Sequence, residues 1–142
     1  MDVPQEPLTL TKAEAATRQT EAAIEALIRG DFDIAITLAG AAEGMLARAG
    51  PHMFAFLRDS PRVQDVEKKK WITALNLERD WLKHPGEPDA ISFEPEQAAF
   101  MIARAASKLE RWTPRMDEFK VWLVKHIDQE QVDREDSTSV EE

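Results

Sequence analysis

Cysteine is missing from this 142-residue chain. Its absence excludes disulfides, a thiolate nucleophile and any zinc–sulfur site. No run of about 18 uncharged apolar residues occurs, so no membrane-spanning helix is expected. The opening "MDVPQEPLTL" has neither the basic start nor the apolar run of a secretory signal, so the expected location is cytoplasmic. Convincing strand alternation, a phosphate-cradling glycine loop, a nucleophile elbow and a low-complexity insert are also lacking. "RGDFDIAITLAGAAEGML" looks like half of a tetratricopeptide unit, but nothing returns at a period of about 34 residues, so a helical array is not expected.

Acidic charge is present in excess, and it is unevenly spread. The net charge is −9, of which residues 128–142 hold −6 and residues 1–127 only −3. The body is therefore nearly balanced, and from Asp128 onward the sequence reads as a disordered acidic extension. A broad basic surface for non-specific nucleic-acid binding is not expected on this balance, and DNA is not an expected partner. Lys68, Lys69 and Lys70 form the one local basic run, read first as a solvated face.

Glycine and proline cut the body into helical blocks. Thr11 and Glu14 have capping-box spacing, and Gly30 suits the residue just past the first helix. A second helix carries Ile34, Leu38, Ala41, Ala42, Met45 and Leu46 and is expected to stop at Gly50–Pro51. Within it Gly40 and Gly44 each cost up to about 1 kcal/mol relative to alanine, which suggests close approach by a neighbouring helix. "HMFAFL" reads as a bridge to a third helix, capped by Ser60 with Pro61 in its first position. That helix ends near His84, because the residue before a proline is steered out of helical geometry. "PGEPDAISF" reads as loop. A fourth helix starts near Pro95 with the stripe Ala98, Ile102, Ala105, Leu109 and Trp112, and a fifth follows Thr113–Pro114 with Met116, Phe119, Leu123 and Ile127. The expected fold is all-α: one domain over residues 1–127, a four- to five-helix up-and-down bundle, with the acidic tail at 128–142.

The stretch "NLERDWLKHPGEPD" carries the chemistry worth weighing. On a helical wheel at about 100° per residue, Arg79 falls inside the apolar stripe of Ile72, Leu75 and Leu82, flanked by Asn76 and Lys83. A cation there needs an anion, either a carboxylate such as Glu43 or a ligand phosphate. Asp80 and His84 are four residues apart, so the carboxylate is expected to reach the imidazole and favour its protonated form. A histidine that titrates near neutrality can shuttle protons, and an arginine can hold a phosphoryl oxygen. Together they compose a minimum for RNA cleavage without metal: attack by the 2′-hydroxyl, proton transfer by His84, and charge stabilisation by Arg79. The bland reading is the charged last turn of an ordinary helix. His52 and His126 show no ligand spacing, so neither a metal nor any other cofactor is expected. Of the four tryptophans, Trp112 reads as core and Trp81 as a contact with the loop or a second subunit rather than with a base.

"RDWLKH" resembles the motif of the HEPN superfamily: an arginine, a polar follower, and a histidine a few residues on. "AITLAGAAEGML" and "DAISFEPEQAAFMIARA" are similar to phrases in small stand-alone prokaryotic members, and the resemblance covers roughly residues 15–112. It implies a helical bundle that forms a homodimer, with two motif copies meeting at a cleft between subunits. It further implies a metal-independent ribonuclease with Arg79 and His84 as the catalytic pair and Asp80 as polar follower; Asn76 and Lys83, which flank Arg79 on the wheel, are the expected substrate contacts. RNA would be the substrate, and a nucleotidyltransferase-type antitoxin the partner of such a toxin. Other members have lost catalysis, which leaves the alternative of a non-catalytic dimer or adaptor in which Arg79 satisfies a buried carboxylate. Pro85, directly after His84, is the departure that bears most on where the ring points.

Overall fold

The computed structural model describes residues 1–47, 50, 52–62 and 77–140; Asn76, Lys68–Lys70 and Trp71 lie outside the described residues. Six helical segments carry the fold among them: α1 Lys12–Arg29, α2 Phe32–Gly44, α3 His52–Asp59, α4 Arg79–Lys83, α5 Pro95–Ser107 and α6 Pro114–Val140. No strand occurs among the described residues, and no helix there is long and apolar enough to cross a membrane. The all-α bundle is as expected.

Local chemistry sets the boundaries. The Thr11 side chain accepts from the Glu14 backbone N–H at 3.1 Å, and Glu14 returns the contact to the Thr11 N–H at 3.3 Å. Gly30, at φ +83°, takes the left-handed conformation that ends α1, and the short link sets α2 back against α1. α5 begins with Pro95 in its first turn, and Glu94 and Gln97 cap one another.

The core lies where α1, α2 and α5 meet. Alanines dominate it, among them Ala16, Ala23, Ala35, Ala39, Ala42, Ala98 and Ala105, all essentially inaccessible to solvent. Small side chains let helix backbones approach closely, and Phe56, Phe100, Ile102, Met116 and Leu123 fill the remaining space. α5 is buried all round rather than along one stripe: every residue from Ala98 to Ser107 except Arg104 is inaccessible.

Four boundaries differ from expectation. α2 ends at Gly44, not at Gly50–Pro51, because the Lys108 ammonium takes the carbonyls of Glu43 and Leu46 at 3.1 and 3.0 Å. Gly50 instead lies against the backbone of Ser107 and Lys108, where any Cβ would clash. "HMFAFL", the bridge to the next helix, is itself part of an eight-residue helix. α5 stops at Ser107, short of Leu109 and Trp112. Both still pack on the core, and the Trp112 indole donates to the Ala106 carbonyl at 2.7 Å. Finally, the segment expected to be disordered from Asp128 continues α6 as helix to Val140. Asp128 anchors its start by accepting from the Ser60 hydroxyl at 2.6 Å, and its carbonyl accepts from Arg62 at 2.9 Å. The Ser60 hydroxyl thus donates to α6, and Pro61 and Arg62 are helical, with Pro61 in the first position as expected.

Candidate functional site

α4 is a single helical turn that follows a π-wound step at residues 77–78 and packs on α2. A π step shifts the phase of a helix and often accompanies functional positions. Arg79, the first residue after it, faces α2. The side chain lies across the two glycines of α2, where a Cβ at Gly40 would meet Arg79 Cδ and Nε at 3.5 Å and one at Gly44 would meet Nη2 at 3.7 Å. The close approach those glycines permit is therefore by an arginine side chain.

Beyond the glycines the guanidinium faces Glu43, with Nη1 at 3.8 Å from Oε2. Glu43 is 94 % buried and holds two closer cations on its other oxygen, Lys108 Nζ at 2.7 Å and Arg104 Nε at 3.1 Å. Desolvation by burial pushes the Glu43 carboxyl upward. The hydrogen bonds from Lys108 and Arg104, with their charges, outweigh it and hold the group below its ordinary value. One buried carboxylate from α2 thus ties together α4 and α5. Next to Arg79, Glu78 is also buried, and its Oε1 accepts from Gln97 at 2.6 Å, a second polar link from this segment to α5.

Asp80 and His84 go elsewhere. The helix breaks at His84, whose backbone is extended at φ −126° and ψ 144°, as a following proline requires. Its N–H still donates to the Asp80 carbonyl at 3.0 Å, but no hydrogen bond or ion pair joins the two side chains. The expected Asp80–His84 side-chain contact is therefore not made: the chain leaves helical geometry at the residue where the four-residue spacing would have brought the groups together. Both are exposed, and with Leu77, Trp81, Pro85 and Ile91 they line a shallow cavity of about 440 Å³ from which Arg79 is absent.

Trp81 forms part of that wall. Its indole donates to the Pro88 carbonyl at 2.7 Å, and its ring meets Phe93 edge-on at 5.9 Å, so it pins the loop as expected. Lys83 is exposed in the last turn. Within one chain the structure thus gathers Asp80, Trp81 and His84 on one side of α4 and places Arg79 on the other. Arg104 and Lys108, absent from the sequence reading of the site, are the residues that complete it. Their four-residue spacing, from Arg104 in the last turn of α5 to Lys108 at its C-cap, was the available signal. No family model, curated protein or solved structure matches this chain.

Proposed function

We propose that the chain is a HEPN-like helical protein acting through protein–protein contact as a homodimer, with Arg79 serving the fold rather than a bond-breaking step. The observation that carries this reading is the direction of Arg79. Its guanidinium is laid on α2 toward Glu43, away from the face that holds His84.

A surface for the second copy lies between α1 and α6. A groove of about 480 Å³ is lined by Ile24, Leu27, Ile28, Phe32, Phe119 and Trp122, with Arg115 and Glu118 at its rim. Ile28 and Trp122 remain 63 % and 41 % exposed, large apolar groups that a partner would cover. Arg115 already pairs within the chain with Glu25 at 2.5 Å and Glu118 at 3.2 Å, so the attraction for a two-fold copy is the apolar groups that each groove can take from the other. Analytical ultracentrifugation at about 10 μM tests the reading, micromolar association being ordinary for a homodimer. The wild type is expected to sediment as a dimer and Trp122→Glu as a monomer. A monomeric wild type, or a Trp122→Glu dimer, overturns it.

A second reading is favoured by one feature of Arg79 itself. It is the most distant of the three cations around Glu43, and its side chain keeps 23 % exposure. In a ribonuclease it would turn to a phosphate, with His84 from the exposed side moving the proton of the 2′-hydroxyl across a dimer cleft. Asn76 and Lys83 would then hold substrate, and the partner would be a nucleotidyltransferase-type antitoxin. Single-stranded RNA incubated in EDTA separates the readings. Cleavage to a cyclic phosphate that disappears in His84→Ala establishes the nuclease; equal inertness of both proteins eliminates it.

A further inference from the structure

The α6 helix presents a second constellation, unrelated to the Arg79–His84 segment. His126 and Glu130 are one helical turn apart, and Glu96 reaches them from the first turn of α5. His126 Nε2 stands 3.5 Å from Glu130 Oε1 and 3.9 Å from Glu96 Oε1, and the three atoms converge within 4.8 Å of one another. We propose that these three residues form a site for a first-row divalent cation of the zinc type.

Three independent features point there. The first is spacing: an ion with bonds of about 2.1 Å in tetrahedral geometry holds its ligands about 3.4 Å apart, close to the 3.5 and 3.9 Å between His126 Nε2 and the two carboxylates. The second is His126 Nε2 itself, which is buried and makes no hydrogen bond. A ring nitrogen shielded from water and flanked by two carboxylate oxygens, neither in bonding geometry, is placed to donate its lone pair to an ion. The third is rigidity. Trp122, one turn earlier, stacks on the imidazole at 5.0 Å with the rings 12° from parallel, and Phe119 backs Trp122 at 6.2 Å. The ring is oriented before an ion arrives, which lowers the entropy lost on binding.

The chemistry of the set selects the ion. One neutral imidazole and two carboxylates balance a double positive charge. Mixed nitrogen and oxygen donors suit Zn²⁺, Co²⁺ or Mn²⁺ rather than Ca²⁺, which takes oxygen alone. All three side chains are half-buried, leaving at least one coordination position to water. Because Glu96 belongs to α5 and the other two to α6, the ion would clamp the long C-terminal helix to the start of the central one.

Titrating ZnCl₂ into the 142-residue chain by calorimetry tests the site, with Co²⁺ as a spectroscopic stand-in. The expected result is one equivalent bound, a rise in melting temperature that grows with zinc concentration, and visible d–d absorption with Co²⁺. Co²⁺ should also quench tryptophan fluorescence, and Trp122→Phe should remove that quenching. His126→Ala is expected to abolish binding, and the milder Glu130→Gln to weaken it at least about tenfold, removal of one of only three ligands. Far-UV circular dichroism confirms that each variant keeps its helices. No uptake by the wild type, or uptake of equal affinity in both variants, overturns the proposal.

Discussion

At the scale of single residues, Glu43 governs more than the arginine that first drew notice. It is the buried carboxylate of the cluster, and three cations converge on it. Breaking a buried charge group by removing its one anion strands the cations, so Glu43→Ala is expected to cost about 2–4 kcal/mol in urea unfolding. Arg79→Ala is expected to cost only about 1 kcal/mol, because Lys108 and Arg104 still satisfy Glu43.

The depressed Glu43 carboxyl also gives a pH signature. Its contribution to stability is full above the ordinary value of 4.5 and is lost as the pH falls from there through the lower folded value. Glu43→Gln should therefore lack that part of the acid-induced fall in stability. An identical pH profile for the two proteins between neutrality and pH about 3 would show that Glu43 does not carry it.

At the scale of elements, the helix ends follow from local chemistry wherever the cap is local. Thr11 with Glu14, Gly30, and Pro95 are all readable from the chain because each acts within one turn. The end of α2 is not, because a lysine more than sixty residues away supplies its capping donor. The same element offers a substitution test. A Cβ at Gly40 would meet Arg79 at an ordinary contact distance of 3.5 Å, and a helical alanine gains up to about 1 kcal/mol over glycine. Gly40→Ala is thus expected to leave thermal stability unchanged or raise it by about 0.5 kcal/mol. Gly40→Leu, which needs the volume Arg79 occupies, should lower it by about 1–3 kcal/mol.

At the scale of the whole molecule, α6 is one long helix with two different halves. Met116, Phe119, Leu123 and Ile127 are buried, whereas residues 132–137 are exposed. The Asp128 contacts to Ser60 and Arg62 mark the passage from one half to the other. Truncation after Gln131 is expected to shift the melting temperature by less than about 2 °C, since residues 132–137 are exposed. Truncation after Lys125 removes Ile127 and Asp128 together and should lower it by about 2–4 °C per kcal/mol lost. Equal melting temperatures for the two truncations would show that the anchor at Asp128 contributes nothing.

By itself the sequence determined the all-α class, most helix starts, the buried stripe of α6 and the inward face of Arg79, since these depend on periodicity and on caps within a turn. It also limited Arg79 to two kinds of anion and named Glu43 as one of them. Only the tertiary structure decided that Glu43 is shared with Arg104 and Lys108, that His84 turns away from Asp80, and that Glu96 joins His126 and Glu130. Each of these depends on a distant segment or on the exact point where a helix breaks. A helical wheel ranks faces within one element, whereas charge partners, distant caps and ligand sets are fixed by which elements pack together.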